Sequence, residues 1–313
     1  MFALLKKKVD KQKQVALCAD DEGVTVARIS RPRDLAPILD LCVSHPTPSV
    51  SVQGAEMSQL AKTLELDRHL CVTTLGLGSY SLLFVEAPDV KPTELRAAIR
   101  WRIKDLIDFH IDDAVIDVFE VPNQKATGKN SMMYAVVTRT STVRQQIELL
   151  AGAGLNLEVI DIPELALRNV SALLPEDVAG VALLYLARRN GLIVLTRQGT
   201  LYLSRRIELG LEQLGTNLDD AEPKLDRIVV EIQRSLDYYE SHFLQPAITN
   251  VVVTPLPEPL QGAAEYLAEQ LGISVRCMDI NSMIDVDPPV AADIQSRCLL
   301  AIGAALRREG MEL

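Results

Sequence analysis

Two stretches of this sequence open in the same way, and the repetition limits the fold more than any other feature. In the first, VALCA (Val15 to Ala19) runs into the acidic turn Asp20-Asp21-Glu22-Gly23 and then into VTVARIS. In the second, Val181 to Leu186, Gly191 to Thr196 and Leu201 to Arg206 repeat strand, turn and strand. Short aliphatic and β-branched runs bounded by Gly, Asp and Asn read as hairpins. Two such openings in a chain of 313 residues, at about 150 residues per domain, predict two lobes built on one plan.

The rest of the pattern is α/β. The spacing of Leu95, Ile99, Ile103, Leu106 and Ile107 predicts a helix from Thr93 to Ile107 with Arg96, Arg100 and Lys104 on its opposite side. Strands are expected at Cys71 to Leu75, Tyr80 to Val85, Ala114 to Val121, Ser131 to Arg139, Leu157 to Asp161, Asn250 to Thr254 and Ile273 to Cys277. Helices are expected at Met57 to Leu66, Thr142 to Ala151, Glu164 to Leu173, Lys224 to His242, Gly262 to Leu271 and Ala291 to Glu309. The break at Pro175-Glu176-Asp177 marks the lobe boundary, giving a basic N-terminal tail over 1–14, a first lobe over 15–175 and a second over 176–313.

Composition removes several classes of function. The net charge of −10 argues against nucleic-acid binding through a basic surface. No run of 18 apolar residues reads as a membrane span, and no export signal opens the chain, so a soluble protein is expected. The tail lysines, Lys6, Lys7, Lys8, Lys11 and Lys13, follow a short apolar patch and allow at most a weak touch on an acidic bilayer. Five scattered cysteines without a CxxC pair indicate neither a disulfide framework nor a zinc site and fit a reducing cytoplasm. Four histidines without HxxxH or HxH spacing advertise no metal site. No nucleophile elbow, P-loop or complete dinucleotide fingerprint occurs.

Four segments carry a resemblance. They are ELRAAIRWRIKDLIDFHIDDAVIDVFEV (Glu94 to Val121), LEVIDIPELALRNV (Leu157 to Val170), LYLSRRIELGLEQL (Leu201 to Leu214) and EIQRSLDYYESHF (Glu231 to Phe243). In order and spacing the chain resembles the type IV pilus assembly PilM family, and within it most closely the version serving the mannose-sensitive haemagglutinin (MSHA) pilus. The resemblance implies an actin-like (ribonuclease H-like) two-lobed fold close to that of the cell-division protein FtsA, with an extra subdomain in the first lobe over about residues 79–139. It also implies a partner. Such proteins bind the cytoplasmic N-terminal tail of a PilN-like single-span inner-membrane protein, and so dock a cytoplasmic layer onto the pilus assembly platform. The helix bearing Arg96, Arg100 and Lys104 lies in that subdomain, which makes these residues candidates for partner contact, although a solvated basic face explains them as well.

The resemblance further implies an ATP cleft between the lobes, and here the residues depart from it. Actin-like ATPases point hairpin N–H groups at the phosphates, with glycine allowing close approach and aspartate ordering Mg²⁺ through water. In the first hairpin Cys18 stands for the aspartate and Asp20 for the phosphate-facing glycine. A carboxylate about 4 Å from a phosphate charge repels it by roughly 1–4 kcal/mol. In the second, Tyr185 and Ala187 replace aspartate and glycine, leaving Arg188 and Arg189 able to attract an anion. The diglycine turn on the adenosine side is replaced by TPLPEP from Thr254 and Pro255 onward, and proline supplies no N–H donor. The expectation is a non-catalytic adaptor without cofactor or metal; the alternative is a nucleotide-dependent switch or slow ATPase holding ATP and Mg through divergent contacts.

Overall fold

The computed structural model describes residues 10–32, 36–122, 124, 131–260 and 262–308. Three sheets organise them. The first begins with β1 (Asp10–Ala19), β2 (Gly23–Ser30) and β3 (Ile38–Pro46), an antiparallel meander. After helix α1 (Val50–Thr63), β4 (His69–Thr74) joins β1 in parallel.

Four elements then leave the first sheet: β5 (Tyr80–Glu86), α2 (Pro92–Ile103), β6 (Ala114–Glu120) and β7 (Met132–Arg139), whose strands form an antiparallel sheet of their own in the order β5-β7-β6. Helix α3 (Thr140–Gly152) returns the chain to β8 (Asn156–Asp161), parallel to β4, and α4 (Pro163–Ser171) closes the first plan.

The second plan repeats it. β9 (Val181–Leu186), β10 (Gly191–Arg197) and β11 (Thr200–Ile207) form the meander, followed by the short α5 (Leu211–Leu214) and the long α6 (Leu218–His242). β12 (Asn250–Val253) lies parallel to β9, α7 (Ala263–Leu271) follows, and β13 (Ser274–Cys277) lies parallel to β12. The chain ends with β14 (Asp285–Val286) and α8 (Ala292–Ala305). The spatial orders β3-β2-β1-β4-β8 and β11-β10-β9-β12-β13 are therefore equivalent, as the paired hairpins require. Every residue of β9 and of β10 is buried, as befits strands covered on both faces.

Two boundaries differ from expectation. The basic tail expected over 1–14 gives way at Asp10 to β1, and Lys13 pairs with Ser30 in the ladder and with Asp40 at 3.4 Å. Lys6, Lys7 and Lys8, part of the cluster that allowed at most a weak touch on an acidic bilayer, lie outside the described residues. The second lobe does not run unbroken over 176–313. β14 adds to the edge of β3, and α8 packs on β1, β2, β3 and β4 of the first sheet, while α4 packs on β9, β10 and β11 of the second. Each plan's closing helix thus serves the other sheet, and α4 and α8 meet between them in one core. An apolar stripe such as Cys298, Leu299 and Ile302 announces burial without naming the sheet that provides it.

In the small sheet one face takes α2, whose Ile99 and Ile103 are buried beside Val118, Met133 and Val137. The other face presents Phe84, Phe119 and Tyr134 to the second lobe, where the Tyr134 hydroxyl accepts from the Ser204 amide at 3.3 Å. Helix α2 starts at Pro92 and stops at Ile103, so Leu106, expected on its buried stripe, is instead exposed.

Candidate functional site

The turns of the two meanders face each other across a cleft of about 540 Å³ between the lobes. Cys18, Asp20, Tyr185, Ala187, Arg188 and Arg189 all line it, so the structure brings together the residues singled out in both hairpins. Thr254 and Pro255 do not line it; both are buried, and Pro257 faces it instead.

In the first turn the Asp20 carboxylate lines the cleft. It folds back on its own loop, and Oδ1 accepts from the Glu22 amide at 2.8 Å and the Gly23 amide at 3.1 Å, closing the turn as Asp side chains do. Two of the N–H groups at this tip are thus spent on an anion built into the chain. Burial pushes the Asp20 carboxyl above its usual range against the pull of those two bonds, and burial with the nearby Asp20 charge does the same to Glu22. Cys18, at the metal-ordering position, is buried, takes a hydrogen bond from the Thr74 hydroxyl at 3.3 Å, and has its thiol pushed up to about 11 by burial. The Tyr185 phenol is likewise buried and raised by burial. Neither group offers a charge to magnesium-bound water at neutral pH.

The second turn is clamped from the side by the loop before α5. The carbonyls of Ala187 and Arg188 accept from Leu211 and Glu212 amides at 2.9 and 2.8 Å, and that of Arg189 accepts from the Gln213 side chain at 3.1 Å. Gly210 makes the approach possible, since a Cβ there would lie 2.5 Å from the Ala187 oxygen. Arg188 and Arg189 were left able to attract an anion by the sequence, and each has one in the chain. Both pair with Glu212, at 3.3 and 3.5 Å, and Arg189 also reaches Asp21 at 3.4 Å, joining the two hairpin tips directly across the cleft. Such exposed pairs contribute about 0–1 kcal/mol each. Their effect is to give Arg188 and Arg189 carboxylate partners within the chain rather than to stabilise the fold.

This donor set does not suit magnesium triphosphate. The first tip has two amides closed on Asp20, the position that the resemblance gives to a metal-ordering aspartate is a protonated thiol, and Arg188 and Arg189 already have carboxylate partners. Among the described residues no three His, Cys, Asp or Glu side chains are grouped to hold a metal ion.

Arg96, Arg100 and Lys104 lie away from the cleft on α2 and the turn after it. Arg96 pairs with Asp117 of β6 and Arg100 with Asp112, both at 2.9 Å, while the Lys104 ammonium sits 5.7 Å from the centre of the Trp101 ring. Trp101 is 74% exposed and Leu106 59% exposed, a large apolar offering that the charge pattern concealed.

Sequence reading missed two further groups. Asp293, Ser296, Arg297 and Leu300 of α8 form a cleft wall. Their i, i+3, i+4, i+7 spacing on an otherwise buried helix was the available sign. Asp161 and Glu164, flanking the start of α4, are buried carboxylates raised by burial; Asp161 is held by Arg307 at 2.7 Å and Glu164 takes the Tyr80 hydroxyl proton donor from the small sheet.

No family model and no curated protein matches the chain. Among solved structures it is similar to one described as a PilM-PilN type IV pilus biogenesis complex, with 21% identity, a TM-score of 0.74, and 94% of this chain and 97% of that chain covered. It is also similar to a protein of Bacteroides thetaiotaomicron described as having an actin-like ATPase fold and unknown function, with 10% identity, a TM-score of 0.50, and 95% and 98% covered. The fold is the actin-like, two-lobed α/β fold.

Proposed function

We propose that this chain is a PilM-like adaptor of type IV pilus assembly that binds the cytoplasmic tail of a PilN-like single-span inner-membrane protein and performs no nucleotide chemistry. The reading places it in the cytoplasm, held peripherally at the inner membrane by that partner, and in the MSHA branch as a counterpart of MshI. The observation that supports it most is the likeness to the PilM-PilN structure across nearly the whole chain. No helix among the described residues is long and apolar enough to cross a membrane, so an attachment through a partner suits the chain. The slow-ATPase alternative relies on Arg188 and Arg189, and both are already paired with carboxylates.

Recognition by such an adaptor is a matter of surface. A tail disordered on its own gains affinity from a few buried side chains and loses part of it to ordering. With Arg96 and Arg100 engaged by Asp117 and Asp112, the exposed side of α2 offers Trp101, and the turn after it Leu106, as apolar contacts, with Lys104 as the charge. Calorimetric titration of the tail of a PilN-like protein encoded beside this one is expected to saturate at one tail per chain. Trp101→Ala is expected to weaken it by about tenfold or more, since buried tryptophans carry interface energy. Failure to saturate defeats the adaptor reading; saturation with an unchanged Trp101→Ala affinity moves the contact off α2.

A further inference from the structure

The cleft that does not suit a triphosphate has unmatched groups of its own. Arg188, Arg189 and Asp21 are engaged with one another or with Glu212. The other charged side chains lining the space are Asp20 and Glu22 of the first turn and Asp293 and Arg297 of α8. Among the described residues none of these four enters an ion pair, and Glu22, Asp293 and Arg297 make no side-chain hydrogen bond either. Asp20 commits only Oδ1, to the Glu22 and Gly23 amides. Three carboxylates against one guanidinium leave two negative charges unanswered.

A second, independent group points to a ligand. Tyr185 lines the cleft and is only 7% exposed, yet its hydroxyl makes no hydrogen bond among the described residues. A buried phenol ordinarily has a partner. Burial keeps this one protonated, so its oxygen offers a lone pair to an incoming N–H. Leu75, Leu77 and Leu300 line the same space and supply an aliphatic wall. A single metal ion does not answer these groups, because among the described residues no three acidic, His or Cys side chains converge on one point. The charge must be spread along the ligand. The volume of about 540 Å³ lies within the range of about 300–1,000 Å³ usual for small-ligand sites.

We propose that the cleft binds an aliphatic polyamine, its ammonium groups on the unpaired carboxylates of Asp20, Glu22 and Asp293 and on the Tyr185 hydroxyl, its methylene stem along Leu75, Leu77 and Leu300. The site is separate from tail recognition on α2 and is tested apart from it. Arg297 repels such a ligand, so removing that cation strengthens binding, which an anion site would not show.

The test is calorimetric titration of spermidine into the folded full chain at low ionic strength, with urea unfolding to confirm that each variant is folded. One saturable site per chain is expected. Glu22→Gln and Asp293→Asn, the latter at an exposed helix position, should each weaken it by about tenfold, as loss of a hydrogen bond to a charged group does. Tyr185→Phe should weaken it by roughly threefold, as loss of a neutral acceptor does. Arg297→Gln should tighten it by roughly two- to fivefold, the scale of an exposed charge interaction. The proposal is overturned by heats that do not saturate at millimolar spermidine, by wild-type affinity in any of the three weakening variants, or by an Arg297→Gln affinity no higher than wild type.

Discussion

Replacing Arg307 with alanine is expected to lower stability by about 3–5 kcal/mol, the usual cost of stripping a buried charge of its partner. The carboxylate concerned is Asp161 at the end of β8, 3% exposed, whose Oδ2 meets the Arg307 guanidinium at 2.7 Å and whose Oδ1 accepts from the Ile162 amide at 2.9 Å. Arg307 reaches it from just beyond α8, and the same stretch is held by Arg31, which donates to the carbonyls of Ala305 and Arg307 at 3.1 Å. The pair therefore ties the strand entering α4 to the segment leaving α8. Burial already raises the Asp161 carboxyl even with Arg307 present. Without the guanidinium it rises further, so the folded variant binds a proton more readily than the unfolded chain. The stability that protonation supplies is complete below the ordinary carboxylate range and is lost as pH rises through the raised value. The deficit of Arg307→Ala relative to wild type should accordingly be large at pH 7 and shrink toward pH 4 in urea denaturation. Asp161→Asn placed on Arg307→Ala should recover much of it. A deficit below about 1 kcal/mol at pH 7, the size of an exposed pair, would contradict this account of the pair.

Gly303→Ala is expected to destabilise although alanine is the better helix former by about 1 kcal/mol. A Cβ at this position of α8 would lie 2.2 Å from the Ala166 oxygen and 2.6 Å from its carbonyl carbon. The obstacle is backbone of α4, which cannot swing aside as a side chain would. The two helices cross here in contact, and the Asn169 side chain donates to the Gly303 carbonyl at 2.9 Å. Overpacking of this kind costs about 1–3 kcal/mol, and Gly303→Val should cost more than Gly303→Ala. Gly152→Ala, in α3 with nothing within 4 Å of its Cβ, is the control and should be neutral or stabilising. Equal urea midpoints for Gly303→Ala and wild type would mean that the helices separate freely, against the close crossing described.

The hairpin repeat was legible because strand and turn are local: alternation, β-branched residues and an Asp-to-Gly turn sit within a few residues of each other. The equal strand order of the two large sheets follows from it. What local pattern could not supply was the exchange of α4 and α8 between sheets, since apolar periodicity specifies a buried face and not its cover. The partners of the charges were hidden for the same reason. Arg307 and Asp161 are 146 positions apart, and Arg189 reaches Asp21 in the opposite lobe. Asp20 was read as a charge aimed at an incoming phosphate. Its bonds to the amides of Glu22 and Gly23 add prior occupation of the donors to repulsion as a physical reason for the expected loss of ATP binding. Trp101 went unremarked among the arginines of α2, where a stripe analysis attends to what is buried.

The central claim is that the cleft's own carboxylates and arginines have replaced a nucleotide's contacts. Thermal unfolding of the purified chain with magnesium alone and with magnesium plus millimolar ATP tests it. A ligand present at one hundred times its dissociation constant adds about 2.7 kcal/mol, a shift of several degrees for a chain of this size. The account predicts coincident transitions, and a saturable rise that requires ATP would contradict it.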